Sequence, residues 1–222
     1  MTALFVTASG TGVGKTYVTA GLVRALRAAG RPVQVLKPVI SGYDPATFAE
    51  SDTAVLLAAL DREPKSEVID AISPWRFAAP LSPDMAARRE GRGIDFDELC
   101  RYCRETIDGF DGVTLIEGVG GVMVPLTEER TVIDWIVALD MPALLVVGSY
   151  LGTLSHTLTA HTTLSALGIP VAAIVISESA ENPVPLEDTQ ATLARFLPGV
   201  AVSAVARGDT DSDDLLRLLF PA

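Results

Sequence analysis

The sequence is poor in cysteine and in positive charge. Cys100 and Cys103 are the only cysteines in 222 residues, too few for a disulfide scaffold, which fits a reducing cytoplasm. They lie in a helical pattern with no second Cys or His pair at zinc spacing, so we predict a buried or partly buried helix face. Lysine and arginine number 17 against 28 aspartates and glutamates, a net charge of −11. Because this field repels polyanions, we expect binding neither to nucleic acid nor to anionic membranes.

Segments that target a protein or cross a membrane are also lacking. The apolar run that ends at Val6 follows no basic residue and leads into a glycine-rich loop, which predicts a buried strand rather than a signal peptide. The apolar stretch Met141–Val147 is far shorter than the about 20 residues that span a bilayer. The sequence has no repeat, low-complexity tract or interdomain linker. We therefore predict one α/β domain over residues 1–222 and a cytoplasmic location.

Apolar runs of strand length alternate with amphipathic segments of helix length. Runs without polar–apolar alternation are typical of parallel strands that helices cover on both faces. The predicted strands are Ala3–Val6, Val33–Leu36, Val113–Ile116, Ala143–Val147, Val171–Ile176 and Val200–Val205. The predicted helices are Thr16–Ala29, Asp52–Leu60, Asp95–Ile107, Val132–Leu139, Thr153–Leu167 and Leu186–Phe196. This order predicts an α/β fold with a doubly wound, mainly parallel sheet, and Ser73–Pro83 is predicted to be an ordered loop on its surface.

A glycine-rich loop between the first strand and the first helix is the strongest functional signal. Residues 7–16 read Thr-Ala-Ser-Gly-Thr-Gly-Val-Gly-Lys-Thr. The glycines let backbone N–H groups turn toward an anion, and the N-terminus of the helix that follows the loop carries a partial positive charge. Lys15 can reach the β- and γ-phosphates and the Thr16 hydroxyl can bind Mg²⁺. The strict phosphate-loop pattern has glycine where Ser9 stands, so a glycine-rich turn with an incidental lysine is the alternative.

Three charged residues at strand and helix ends extend this prediction. Lys37 follows the second strand, at the edge where a doubly wound sheet binds ligands, and a second fixed cation there suits phosphoryl transfer. Glu117 ends the third strand and Asp52 begins a helix after Ser51. With Thr16 the two carboxylates would bind Mg²⁺ and leave room for phosphate oxygens and water. The alternatives are a solvent-facing lysine and a helix-capping aspartate.

Motifs spread over almost the whole chain, weakening after about residue 177, resemble those of the dethiobiotin synthetases. The matching motifs are Val6-Thr7, Val13-Gly14-Lys15-Thr16, Lys37-Pro38-Val39, Ser41-Gly42, Ser51-Asp52, Pro74, Phe77, Pro80, Ser82-Pro83, Glu117-Gly118, Gly120-Gly121, Pro125-Leu126, Asp134-Trp135, Leu145-Val146-Val147-Gly148, Leu151-Gly152 and His156. The resemblance implies a phosphate-loop α/β fold and a homodimer with the substrate site between subunits.

The reaction implied by this resemblance joins CO₂ to 7,8-diaminopelargonic acid with ATP and Mg²⁺, in biotin formation. One amine becomes a carbamate, the carbamate attacks the γ-phosphate, and the second amine closes the ureido ring and expels phosphate. Lys15 and Lys37 would neutralise oxygens, while Thr11 and Ser41 would orient the diamine or carbamate. Mg²⁺ would be held by Thr16, Asp52 and Glu117. The substrate would contact Thr11, Lys37 and Ser41 and, from the neighbouring subunit, Gly148, Leu151 and Gly152.

The resemblance also implies a nucleotide site, with departures from the family at its base end. The implied nucleotide-binding residues are Gly12, Val13, Gly14, Lys15, Thr16, Tyr17, Asp52, Glu117, Gly118, Val119, Gly120, Ser177, Glu178, Val205, Ala206 and Arg207. The asparagine that reads adenine in the family is matched by Ser177, and the Ile-Pro near the last strand is matched by Val205-Ala206. We therefore expect weaker discrimination between ATP and other nucleoside triphosphates.

Two other classes of function remain open on the sequence. One is a different phosphate-loop enzyme, of the cobyrinate amidase or kinase type, that activates another carboxyl or hydroxyl group. The other is a nucleotide switch that recruits partners. Partition-type and nitrogenase-type ATPases carry a second lysine near the start of the loop, where this chain has Ser9, Gly10 and Thr11. The switch is therefore the less favoured alternative.

Overall fold

The computed structural model describes residues 3–209 and 212–221, and its centre is a six-stranded parallel sheet. The strands of this sheet are β1 (Ala3–Ala8), β2 (Val33–Leu36), β5 (Val113–Glu117), β6 (Ala143–Val147), β7 (Val171–Ser177) and β8 (Val202–Val205). Their order is β2-β5-β1-β6-β7-β8. The two remaining strands, β3 (Val39–Ser41) and β4 (Trp75–Phe77), form a separate parallel pair. The predicted fold class is confirmed.

Helices cover both faces of the sheet. Those in the described residues are α1 (Lys15–Ala28), α2 (Asp52–Leu60), α3 (Ser66–Ile72), α4 (Pro83–Arg89), α5 (Phe96–Asp108), α6 (Val132–Leu139), α7 (Thr153–Ala166), α8 (Leu186–Phe196) and α9 (Asp213–Leu219), with a 3₁₀ helix at Pro45–Glu50. On β1, Leu4 and Val6 pack into the core under α1, α2 and α9, and Phe5 packs into the core under α5 to α8. Burial on both faces explains why the strand sequences do not alternate.

The structure corrects the sequence prediction at short elements. Ser73–Pro83 was predicted to be a loop, but it contains β4, whose Trp75 pairs with Val39 of β3. Strands of three residues are too short to show a period, and only the neighbouring strand identifies them. The last strand begins at Val202 rather than Val200. Cys100 and Cys103 lie buried on α5, as predicted.

The parallel sheet brings the ends of several strands to one edge. Because β1 and β2 both pair with β5 and all three strands run in the same direction, the loops that follow them meet there. The neighbours of β1 are β5 on one side and β6 on the other, which makes this edge the switch point where doubly wound folds bind ligands. In the residues that the structure describes, no helix has both the length and the apolar character required to cross a membrane.

Candidate active site

The glycine-rich loop ends at the start of α1. Gly14 has a φ of 92°, a left-handed conformation that favours glycine, and it stands immediately before Lys15, the first residue of α1. A Cβ atom on Gly14 would lie 2.3 Å from Oγ of Ser177, so the space there also requires glycine. Lys15 is 7% exposed and its ammonium group donates a hydrogen bond to the carbonyl of Gly120 at 2.8 Å. Burial, and then the charge of Lys37, lower the pKa of Lys15 to about 8.

Lys37 is held at the end of β2 by two carboxylates and a carbonyl. Its Nζ lies 2.7 Å from Oε1 of Glu117, 2.9 Å from Oδ2 of Asp52 and 2.8 Å from the carbonyl oxygen of Gly118. A lysine ammonium has three N–H donors, and these contacts occupy all three. Burial alone would lower the pKa of Lys37, but the charges of Glu117 and Asp52 raise it above its ordinary value. Lys37 therefore keeps its charge although it is 2% exposed.

The residues predicted to bind a metal lie next to this cluster. The Thr16 hydroxyl donates to Oε1 of Glu117 at 2.7 Å. Oε2 of Glu117 is buried and has no hydrogen-bond partner among the described residues. Asp52 is the first residue of α2, behind the capping residue Ser51. Burial opposes ionisation of Asp52, but the charge of Lys37, hydrogen bonds from Lys37 and Thr16, and the charge of Lys15 together outweigh it, so the pKa of Asp52 is lowered. An unpartnered buried carboxylate oxygen beside a hydroxyl and a second carboxylate fits a hard cation such as Mg²⁺.

A cavity of about 430 Å³ collects most of the predicted phosphate and catalytic residues. Its lining comprises Thr11, Gly12, Gly14, Lys15, Thr16, Tyr17, Lys37, Ile40, Ser41, Asp52, Val119 and Gly120. Ser41 reaches this cavity because it ends β3, which begins two residues after Lys37. Ile40 was not predicted, although it stands next to Ser41 in the sequence. The cavity therefore presents two lysines, four hydroxyl groups and a carboxylate to one small volume.

A second cavity, of about 520 Å³, lies on the other side of the glycine-rich loop. Its lining comprises Gly12, Val13, Gly14, Tyr17, Ser177, Glu178, Ser179, Ala180, Arg207 and Gly208. The two cavities share Gly12, Gly14 and Tyr17, so a bound molecule can extend from one to the other along the loop. Ser179, Ala180 and Gly208 were not predicted, and only their position next to predicted residues could have suggested them.

Several predicted nucleotide residues support the cavities without lining them. The carbonyl of Gly118 accepts a hydrogen bond from Lys37. Val205 is the last residue of β8 and is 7% exposed. Ala206 is exposed between Val205 and the lining residue Arg207. The lining of the second cavity is held by Glu178, whose Oε2 accepts a hydrogen bond from the backbone N–H of Arg207 at 2.8 Å. Glu178 thus joins the end of β7 to the segment after β8.

The residues predicted to act across a dimer lie apart from both cavities. Gly148, Leu151 and Gly152 belong to the loop between β6 and α7, and none of them lines either cavity. The side chain of Leu151 is 89% exposed. Gly152 has a φ of 100° and precedes Thr153, the first residue of α7. In one chain, therefore, this loop does not meet Lys37 or Ser41, and its part in a substrate site stays a prediction.

Known proteins resemble this chain in sequence over most of its length. A family profile described as an AAA domain matches residues 2–206. The chain is 52% identical over 198 residues to the ATP-dependent dethiobiotin synthetase BioD of Acidiphilium cryptum, covering 89% of each chain. It is also 52% identical over 214 residues to the protein of the same name from Methylobacterium nodulans, covering 94% of each chain.

Solved structures share the fold at much lower sequence identity. The crystal structure of a ParA family ATPase from Chlorobium tepidum matches with a TM-score of 0.53 and 17% sequence identity. The match covers 99% of this chain and 89% of that chain. At this low identity the likeness supports only the fold, which is a parallel sheet with a phosphate loop.

Proposed function

The chain belongs to the ATP-dependent dethiobiotin synthetase family, and from that premise we propose that it converts 7,8-diaminopelargonic acid, CO₂ and ATP into dethiobiotin, ADP and phosphate. The observation that carries the proposal is the contact of Lys37 with Asp52 and Glu117 at a cavity of about 430 Å³. Lys37, Asp52 and Lys15 line this cavity, and Glu117 is fully buried and is not part of its lining. Phosphoryl transfer depends on positioning and charge neutralisation, and these side chains supply both. We propose a cytoplasmic enzyme that folds as one domain and acts as a homodimer.

The two lysines are proposed to act on different oxygens. Lys15 follows the glycine-rich loop and would neutralise the β- and γ-phosphates. Lys37 lies across the same cavity, where it would face the carbamate formed from CO₂ and one amine of the substrate. The carbamate oxygen attacks the γ-phosphorus and ADP leaves. The second amine then attacks the carbamoyl carbon, closes the ureido ring and expels phosphate.

Lys37 needs a free N–H group to bind an oxygen of the substrate. Its three donors are occupied by Glu117, Asp52 and the carbonyl of Gly118. The Asp52 side chain is 40% exposed, whereas the Glu117 side chain is fully buried. The contact with Asp52 is therefore the one that we expect to be exchanged for a contact with the substrate. Glu117 would keep the ammonium group in position during that exchange.

Magnesium would be held by Thr16, Asp52 and Glu117, together with phosphate oxygens. The unpartnered Oε2 of Glu117 supports this assignment, since a buried carboxylate oxygen without a partner is costly. When bound, Mg²⁺ would neutralise charge on the phosphates. Thr11 and Ser41 would orient the diamine or the carbamate by hydrogen bonds. Gly148, Leu151 and Gly152 would bind the substrate carboxylate of the neighbouring subunit through backbone N–H groups at the start of α7.

The proposed activity has a direct test. Purified protein is incubated with the diamine, bicarbonate, Mg²⁺ and ATP, and dethiobiotin and ADP are measured by mass spectrometry. Omission of each component in turn serves as the control. We expect dethiobiotin and ADP in equal amounts, and neither product without the diamine. ADP release that does not depend on the diamine would favour a different phosphate-loop enzyme.

A further inference from the structure

Two serines on neighbouring loops hold each other by a reciprocal pair of hydrogen bonds. The backbone N–H of Ser149 donates to Oγ of Ser179 at 3.0 Å, and the backbone N–H of Ser179 donates to Oγ of Ser149 at 2.9 Å. Ser149 follows β6 and Ser179 follows β7, and 30 positions separate them in the sequence. Each hydroxyl thus satisfies the backbone donor of the other residue, and we call the two residues the serine pair.

The packing around the serine pair leaves little freedom. A Cβ atom on Gly148 would lie 2.7 Å from Oγ of Ser179 and 2.6 Å from the ring of Tyr150, so this approach requires glycine. The Thr153 hydroxyl donates to the carbonyl of Gly148 at 2.6 Å. Oη of Tyr150 and Nδ1 of His156 are 2.9 Å apart. The loop from Gly148 to Thr153 is therefore fixed by side chains at both of its ends.

The serine pair connects this loop to the second cavity. Ser179 lines that cavity beside Ser177 and Glu178, whereas Ser149 is 1% exposed and belongs to the loop before α7. The backbone N–H of Glu178 also donates to the carbonyl of Val205, which anchors the cavity wall to β8. A molecule that contacts Ser179 in this cavity is therefore connected to the loop through one pair of hydrogen bonds.

We propose that Ser149 and Ser179 are positioning residues that couple the nucleobase cavity of a subunit to its Gly148–Thr153 loop. Nucleotide bound against Ser179 would further stabilise the conformation in which the serine pair holds the loop, and the loop in that conformation would bind the carboxylate of the diamine in the neighbouring subunit. The proposal rests on the proposed function for the identity of the diamine. The coupling itself rests on the serine pair and the cavity. Loss of either hydroxyl leaves a buried backbone N–H without its acceptor, which weakens the connection.

Amide hydrogen exchange tests the coupling without any diamine. In the wild type, a non-hydrolysable ATP analogue with Mg²⁺ should slow exchange in peptides that cover residues 148–153. Ser149→Ala should abolish that protection while still binding the analogue. Ser179→Ala should abolish it at an analogue concentration that saturates this variant. Ser179→Thr keeps the hydroxyl at a partly exposed position and should retain protection. Equal protection of the loop in the wild type and in both alanine variants would overturn the proposal, whether or not the protein makes dethiobiotin.

Steady-state kinetics test the consequence for the substrate. Each alanine variant should raise KM for the diamine by roughly tenfold. Ser149→Ala changes a side chain outside the lining of the nucleotide cavity and should change KM for ATP by less than about twofold. The double variant should cost less than the product of the two single effects, because the hydrogen bonds form one closed pair. Thr131→Ala, which removes a capping box on α6 away from both cavities, is the control for general destabilisation. An unchanged KM for the diamine, or the same rise in Thr131→Ala, would overturn the role in positioning.

Discussion

The ammonium nitrogen of Lys37 lies 2.7 Å from Oε1 of Glu117, and neither side chain is more than 3% exposed. These residues are 80 positions apart and stand at the ends of adjacent strands, β2 and β5. A buried charge without its partner is strongly unfavourable, so each residue depends on the other. The Glu117 carboxylate also accepts a hydrogen bond from Thr16, and its Oε2 has no hydrogen-bond partner in the part of the chain that the structure describes. The phosphate loop, the Lys37 ammonium group and a proposed metal ligand therefore form one contact network.

Glu117→Gln removes the negative charge of Glu117 from this network. The variant should therefore need a higher Mg²⁺ concentration to reach half of its maximal rate. We expect kcat to fall by about 10²-fold, because the metal neutralises charge that develops on the phosphoryl group. A Mg²⁺ titration of the initial rate measures both effects. Asp52→Asn should act in the same direction but more weakly, since Asp52 is partly exposed. Unchanged metal dependence in both variants would leave the two carboxylates as structural partners of Lys37.

Lys15→Ala should abolish turnover without unfolding the protein. The ammonium group acts as a point charge on phosphate, and loss of such stabilisation costs about 10²–10³ in rate. The variant is compared with Lys65→Ala, which alters an exposed lysine at the start of α3 and should leave kcat unchanged. Circular dichroism confirms that both variants are folded. A near-normal kcat for Lys15→Ala would refute the phosphate-loop assignment.

Lys37→Gln and Ser41→Ala should impair product formation more than nucleotide binding. Both residues line the cavity with Lys15, but Lys37 follows β2 and Ser41 ends β3, so neither belongs to the phosphate loop. We expect each variant to lower kcat by at least about tenfold with ATP affinity within about threefold of the wild type. Single-turnover kinetics and calorimetric titration with ATP separate the two quantities. A variant that lost ATP affinity but kept its full kcat would show that these residues bind the nucleotide.

Nucleotide binding should take up a proton above pH 8. In the free enzyme the pKa of Lys15 is lowered to about 8, so the side chain is largely neutral at pH 9. Triphosphate favours the charged form and raises this pKa, so affinity should fall by up to tenfold per pH unit as pH rises above 8. Calorimetry in two buffers of different ionisation enthalpy measures the uptake. Lys15→Arg stays charged throughout and should show no uptake, and an equal uptake in that variant would assign the proton to another group.

Discrimination among nucleoside triphosphates should be weak. Ser177 is 7% exposed and its Oγ lies against Gly14, where a single hydroxyl cannot pair with both the donor and the acceptor edge of adenine. We expect kcat/KM values for ATP, CTP and GTP to lie within about tenfold of one another. Ser177→Asn should favour ATP if the longer side chain reaches the base. A strong preference for ATP in the wild type that this substitution leaves unaltered would mean that backbone groups or Glu178 read the base.

The sequence alone was enough to predict the sheet and the phosphate loop. Burial of a strand on both faces leaves a local record, an unbroken apolar run such as Ala143–Val147, whose bounds the structure reproduces. The phosphate loop is equally local, since Gly14 and Lys15 act through a turn and the helix that follows it. The strands β3 and β4 left no such record, because three residues are too few to show a period.

Only the tertiary structure decided which distant residues meet. The sheet order places β5 between β1 and β2, so Glu117 lies between Lys37 and the phosphate loop that follows β1. No local pattern encodes the 2.7 Å contact of Glu117 with Lys37 or the hydrogen bonds between Ser149 and Ser179. Such contacts depend on which strands are neighbours, and strand pairing is set by the packing of the whole core. The sequence was therefore enough to identify the candidate site residues. Their distances, burial and altered pKa values depend on the assembled sheet.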